Sequence, residues 1–361
     1  MRGSRVAVVG TGLITAGGDT VAQTWDSLLA KKDTSSQRVC FDTSRTVHTV
    51  GLGTDLFSLA GFAIKEVLDS GGFSVDRGDG IDTLCVGSSS DTVAERELGH
   101  LPHGGRMVSD RLAGVLNIEH HYQFANACAS SSYAIATAMD LIRLGHSRFA
   151  LAGGVDEVTL SSMAGFASWR IYGDRCRPFA AGRHGLVLAD AAAFLLLTQP
   201  DLIGWPAIAY LTGAGLAADG VSVAAMTMEG VLSAMEAALD EAGSPTIDAV
   251  FAHGTGTENN DEVESKAIAE LWGDHLPKVV SYKGVLGHPQ GASGAVGTVL
   301  AVEAVHRQQL FGTVAFDDVD PDLAVAGVVT KTAGPADLKN IMVLSHGTWG
   351  VYSALIVSAV E

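Results

Sequence analysis

No stretch of this chain is apolar for long enough to cross a membrane. The longest such run, Ala191 to Leu197, falls far short of the roughly 20 residues a spanning helix needs. Cysteine is scarce: Cys40, Cys85, Cys128 and Cys176 are irregularly spaced with no CxxC pair. Neither a metal site nor a disulfide framework is therefore expected, and a reduced, cytoplasmic setting is. Basic residues are also few, 23 against 40 acidic ones, for a net charge of −17. Nucleic acid, whose phosphates such a chain repels, is not an expected partner. The opening Met1-Arg-Gly-Ser-Arg-Val-Ala-Val-Val-Gly10 turns into strand at once, which leaves no room for a signal peptide. Proline is sparse at 9 residues and glycine abundant at 43, which suits tight turns and close backbone contacts.

What is present is a large apolar fraction, 47% of 361 residues, enough for one big domain or two closely packed halves. The first strand, Val6 to Thr11, runs into Gly10-Thr-Gly12, but the position three beyond Gly12 is Thr15 and no acidic residue follows at the required distance. A dinucleotide site is not expected. Helices are read over 19–30, 58–69 and 106–116, and strands over 83–87, 121–127, 149–155 and 185–198. The polar stretch Ser88 to Gly105, with His100 and His103, reads as an excursion or lid. After a joint at Asp201 to Pro206 the plan repeats: strand 207–217, helix 224–242, strand 249–252, helix 261–271, strand 279–282, helix 291–308, and strands 341–345 and 352–357. Alternating strands and helices in both parts give an α/β class with mixed sheets.

The chain is organised around Asn126-Ala-Cys-Ala-Ser-Ser-Ser132. Tyr133, Ala136, Ala138, Leu141, Ile142 and Leu144 recur with helical spacing up to the stop at Gly145. Cys128 thus sits on a strand-to-helix turn at a helix N-terminus, where the dipole favours a thiolate. A buried structural cysteine is the equal alternative on this pattern alone. Far downstream, His253-Gly-Thr-Gly-Thr257 and Lys283-Gly-Val-Leu-Gly-His288 place two histidines in glycine-rich turns behind buried strands, with a lysine close by. A thiol nucleophile needs such a neighbour and a place for a developing oxyanion. The small-residue helix after His288 (Gly291-Ala-Ser-Gly-Ala-Val-Gly297) parallels the one after Cys128, as an internal duplication would.

These motifs, with Arg177-Pro-Phe179 and Asn260-Asp261-x-x-Glu264, occur in the order and spacing of the β-ketoacyl synthases, and the sequence resembles that family of thiolase-fold condensing enzymes from end to end. The resemblance implies a thiolase-like five-layered αβαβα fold built from two duplicated halves, 1–203 carrying the nucleophilic cysteine and 204–361 the two catalytic histidines. It implies that Cys128 takes an acyl group from a carrier-protein or CoA thioester and that a malonyl-type thioester is then decarboxylated and condensed. His253 and His288 would stabilise the enolate, and Lys283 would hold the polar network around His288. Thr255, Thr257, Gly347 and Thr348 would line the substrate and pantetheine path, and Asp261 and Glu264 would stabilise their loop. The Cys128 N–H and one from the Gly347–Gly350 turn would form the oxyanion hole. No cofactor is implied beyond the phosphopantetheine that carries the substrates. The implied partners are an acyl carrier protein and a second subunit, in a homodimer or in a heterodimer with a ketosynthase-like chain. An acyltransferase, a non-decarboxylating condensing enzyme and a non-catalytic chain-length-factor-like subunit are the alternatives.

The departures are specific. Gly347-Thr-Trp-Gly350 stands where the family reads Gly-Phe-Gly-Gly, Tyr352 replaces an Asn, Ala180 an acidic residue, and Gly297 the Glu of fatty-acid-type members. Thr348 and Trp349 are therefore expected to reshape the gate beside Cys128, unless Trp349 merely fills a gap in the core. Carrier proteins of this family are generally acidic, as this chain is, so docking needs a local basic patch. Arg143, Arg148 and Arg175 are the candidates, among six arginines between 143 and 183.

Overall fold

A computed structural model of the chain describes residues 5–40, 43–51, 55–73, 80–99, 106–200, 202, 204–221, 225–314 and 318–360. The first half supplies strands β1 (Val6–Thr15), β2 (Thr83–Gly87), β3 (His120–Phe124), β4 (Phe149–Asp156) and β5 (Ala191–Thr198). The second supplies β6 (Ala209–Ala218), β7 (Ala249–Phe251), β8 (Lys278–Val280), β9 (Asn340–Gly347) and β10 (Val351–Ser358). Their lateral order is β3-β2-β4-β5-β1 in one half and β8-β7-β9-β10-β6 in the other, joined where β1 meets β6. In both halves the strands at positions two, three and four of the plan are parallel and the remaining pairs antiparallel. The second half is the first repeated.

Helices repeat in step. In the first half α1 (Leu56–Ser70), α2 (Val108–Leu116) and α3 (Ser130–Arg143) correspond to α4 (Met228–Ala242), α5 (Glu258–Trp272) and α6 (Ser293–Arg307) in the second. α1 and α2 cover the outer face of the first half, α4 and α5 that of the second, and α3 and α6 pack together between the sheets. The apolar residues accordingly divide into one inner core, two outer ones and a small fourth cluster around Val47, Met163 and Leu188. β5 illustrates the logic: Leu195 and Leu197 face the inner core while Phe194 and Leu196 face an outer one, so the strand is buried on both sides and reads as a continuous apolar run. The five layers α, β, α, β, α are as the sequence implied.

The differences from the sequence reading have local causes. β1 extends to Thr15 because Leu13 and Ile14 pair with β5. β5 begins only at Ala191, since residues 186–189 are drawn off to pair with Tyr172, His48 and His288. The first helix, Val21–Leu29, is capped by the Thr20 side chain, not by Asp19. The cysteine strand ends at Phe124, ahead of a tight 3-10 turn at Ala127–Ala129. A hairpin of Ser36–Cys40 with Thr43–Val47 and a helix at Leu160–Ser168 were not anticipated. Of the polar excursion, Val93–Glu97 is a short helix, while His100 and His103, like the side chain of Cys40, lie outside the described residues.

The inner helices approach closely because their facing residues are small. Gly87, at the end of β2, touches the start of α3: a Cβ there would lie 2.3–2.5 Å from the backbone of Ser130 and Ser131. Backbone atoms cannot step aside as a side-chain tip can. Gly87→Ala should therefore lower stability by about 1–3 kcal/mol, the usual cost of overpacking, and displace the turn that carries Cys128. Urea melts of the two proteins check this.

Candidate active site

The thiol is set by a strained turn. Ala127 adopts φ +49°, unusual for a residue with a side chain, and Ser130 locks the bend: its hydroxyl accepts from the Asn126 N–H (2.8 Å) and donates to the Ala127 carbonyl (2.6 Å). From the other half, the Ser345 hydroxyl donates to the Cys128 carbonyl at 2.7 Å. Gly347 lies so near that a Cβ would be 3.2 Å from the Cys128 nitrogen. The same bend recurs in the second half: Gln290 has φ +46° and opens the turn Gln290–Ala292 that leads into α6. There Gly291 occupies the place of the cysteine, and its N–H donates to Asp156 at 2.6 Å.

Burial pushes the Cys128 thiol up to about 12, against the opposing pull of Lys283. This corrects the expectation of a resting thiolate. The surroundings are drier than a helix N-terminus alone can offset, so the resting thiol holds its proton.

His253 and His288 follow different buried strands and meet here, ring centroids 5.1 Å apart and edge to face. Both are pushed well below the usual histidine range, first by burial and then by Lys283. They are neutral, and for His253 the surroundings fix which nitrogen carries the proton. The Lys283 ammonium lies 3.5 Å from His253 Nδ1 and donates to the His253 carbonyl at 2.5 Å. An ammonium has no lone pair to offer, so Nδ1 is the unprotonated nitrogen and Nε2 bears the hydrogen. The Ser293 hydroxyl lies 3.0 Å from His288 Nδ1 and holds that ring as donor or acceptor, whichever its tautomer. The Nε2–H of His253 beside the His288 ring is suited to stabilising a developing oxyanion or enolate. Lys283 was expected to serve His288; its contacts are with His253, and Ser293 holds His288.

The turn bearing His253 is held by two buried carboxylates. Glu264 accepts from the backbone N–H of His253 (2.6 Å) and Gly254 (2.8 Å), and Asp261 from those of Phe179 (2.7 Å) and Gly256 (3.2 Å). Thr255 and Thr257 share a hydroxyl–hydroxyl bond of 2.9 Å at the cleft wall.

Two cavities meet at Cys128. One, of about 70 Å³, is lined by His253, His288, Thr255, Thr257 and the 346–350 turn. The other, of about 360 Å³, is lined by Ser89, Ser162, Trp169 and Gln290. Phe166, Thr348 and Trp349 border both, as a gate between them would. Trp349 is 63% exposed with φ +71°, so it does not fill a core gap. Gly297 has no room for the Glu it replaces, since even a Cβ would lie 2.7 Å from Val343.

The basic candidates separate. Arg143 is at the far end of α3, a 14-residue helix that carries it about 20 Å from the Cys128 turn. Its side chain is only 6% exposed and pairs with Glu241 at 2.9 Å. Arg148 lies just beyond that same end, over the Phe149 ring. Both are corrected from mouth contacts to groups on the opposite side. Arg175 alone stays near the cleft, exposed beside Cys176, whose thiol donates to the Thr255 carbonyl.

Sequence reasoning missed His346, which lines the small cavity, and the Phe166 and Trp169 rings of the unanticipated helix. A signal existed for the first: His346-Gly347 ends a strand as His253-Gly254 does.

Burial lowers Lys283 to about 8, below its unfolded value. The unfolded chain then binds more protons between those two values, so this group's contribution to stability rises with pH there. The stability of wild type relative to Lys283→Met should improve from about pH 8 to about 10.5 and be flat below, by denaturant titration at each pH.

Comparison with known proteins agrees with this geometry. Residues 89–201 match the β-ketoacyl synthase N-terminal domain and residues 208–317 the C-terminal domain. Nodulation protein E of Rhizobium meliloti is 36% identical over 206 residues, 55% of this chain and 51% of the relative. The 3-oxoacyl-[acyl-carrier-protein] synthase 2 of Mycobacterium leprae is 34% identical over 259 residues, 66% of this chain and 61% of the relative. The matched region is thus about half the length of the first of these relatives. Among solved structures, the ishigamide ketosynthase/chain length factor and a β-ketoacyl synthase from Burkholderia phymatum STM815 each superpose with a TM-score of 0.90 at 26% identity, over 99% of this chain and 100% of theirs. With the paired domain models spanning both halves and the thiol and imidazoles gathered between them, the chain belongs to the β-ketoacyl synthase family.

Proposed function

We propose that the protein is a decarboxylating β-ketoacyl synthase of polyketide or related specialised-metabolite biosynthesis. The observation that carries this reading is the placement of Cys128 where two cavities meet, beside two neutral imidazoles whose rings meet edge to face. In the first half-reaction the Cys128 sulfur attacks the carbonyl of an acyl thioester on phosphopantetheine or CoA. Its proton passes to the departing thiol, and the acyl chain extends into the larger cavity. In the second, a malonyl-type thioester enters past Thr255 and Thr257 and loses CO2. The enolate oxygen rests on His253 and His288 while its carbon attacks the acyl-cysteine. The freed sulfur takes up a proton. No metal or organic cofactor enters this scheme, and a cytoplasmic location follows from the cysteine usage.

An acyl carrier protein is the proposed donor, with Arg175 a contact at the mouth. One matched structure is titled as a ketosynthase in complex with its chain length factor, and a homodimer or such a heterodimer is proposed here. A purely non-catalytic role is disfavoured by the retained Cys128, His253, His288 and Lys283.

Intact-mass measurement after incubation with acyl thioesters should show one acyl group, absent in Cys128→Ala; label on Cys85 or Cys176 instead would sink the reading. His253→Ala or His288→Ala should still load but lose condensation by about 10²–10³-fold, as for loss of one oxyanion donor. Wild-type malonyl turnover in both would overturn the mechanism. Thr348→Phe should narrow the range of acyl chains accepted by crowding the border of the two cavities, read by competition between chain lengths.

A further inference from the structure

His346 is a buried polar side chain with no evident reason to be polar. It is 2% exposed, and among the described residues neither ring nitrogen makes a hydrogen bond. An aromatic hydrocarbon of similar shape would avoid that loss, so an unpaired imidazole here calls for another explanation.

The strand supplies one. Along β9 the Ser345 hydroxyl and Gly347 are applied to Cys128, so His346 between them projects to the other face, across from Tyr352 on β10. Its ring centroid lies 5.4 Å from that of His253 and 5.7 Å from that of Tyr352. Its Nε2 is 3.5 Å from Glu264 Oε1, the same oxygen that accepts the His253 backbone N–H. His253 therefore stands among three polar neighbours: Lys283 at its Nδ1, His288 edge to face, and His346. The charged or titratable groups facing His346 are Glu264 from α5, His253 after β7 and Tyr352 from β10. Tyr352 in turn donates to Asp219 at 2.7 Å, and Lys283 lies behind His253. His346 also lines the small cavity beside Cys128, His253 and His288.

We propose that His346 is a positioning residue for the condensation half-reaction, holding with Glu264 the ring orientation and proton placement of His253. A small approach of the imidazole to Glu264 converts the 3.5 Å separation into a hydrogen bond. That shift braces the His253 turn through the shared carboxylate while the ring keeps its place against His253. This rests on the reading of His253 as an enolate-stabilising donor.

The test compares wild type, His346→Phe and His346→Gln in three measurements. Thermal unfolding should show His346→Phe no less stable than wild type, since the unpaired nitrogens are gone. Single-turnover assays should show its condensation falling at least tenfold more than its acyl loading. His346→Gln, which retains a donor toward Glu264, should recover part of that rate. ¹⁵N-histidine NMR should show altered ring-nitrogen shifts for His253 in His346→Phe. Wild-type condensation in His346→Phe would overturn the proposal, as would equal losses of loading and condensation. Should the wild type itself condense no malonyl thioester, the functional reading falls and the NMR comparison decides alone. Altered His253 shifts then support the positioning role, and unchanged shifts overturn it.

Discussion

The site exists because two helices from different halves of the chain meet end to end at van der Waals distance. The start of α6 lies on the start of α3: the Ala295 N–H donates to the Ser131 hydroxyl at 2.9 Å, and a Cβ on Gly294 would lie 1.9 Å from Ser132 Oγ. Asp156 clamps the junction. Its carboxylate accepts from the hydroxyls of Ser88, Ser89 and Ser90, from the backbone N–H of Ser89 and Ser90, and from Gly291 of the other half. Six donors converging on one buried anion leave it little freedom, and losing it would leave those donors unpaired in the interior. Cys128 and His288 are neighbours only because this junction holds.

Charge in the interior carries the second constraint. Lys283, Glu264 and Asp261 are all fully or nearly fully buried, an arrangement whose desolvation cost can exceed the attraction between the partners. Each instead discharges its polarity onto backbone: the lysine onto a carbonyl, the carboxylates onto amides of the 253–256 turn and of Phe179. Burial, and Lys283 after it, hold both imidazoles well below the usual histidine range. They are therefore unprotonated, and the Lys283 contact leaves the proton of His253 on Nε2.

Much of this was legible in the sequence, because the chemistry depends on short motifs with rigid backbones. Asn126-Ala-Cys, His253-Gly-Thr-Gly and Gly287-His288 each need glycine or a strained turn, and such needs leave marks. The duplication was visible as two small-residue helices and is exact in strand order. What stayed hidden depends on distance through space. Nothing local tells that Lys283 reaches His253 and not His288, or that burial outweighs the helix dipole at Cys128. Nor does anything local tell that Arg143 and Arg148, which flank the turn after the cysteine helix, lie a helix length away from Cys128. His346 was passed over because its strand ends in a segment that departs from the family pattern, where resemblance offers no guide.

The two bends at Ala127 and Gln290 show what duplication leaves behind. Both halves build the same left-handed turn into a central helix, yet one presents a thiol to a cavity and the other a bare amide to Asp156. Gly291 could not become a second nucleophile: a Cβ there would meet the Ser89 nitrogen at 2.6 Å and an Asp156 oxygen at 2.7 Å. The copy has been turned into a fastener, and the clasp it makes is what aligns the working original. The repeat of the fold thus survives as scaffolding around a single thiol.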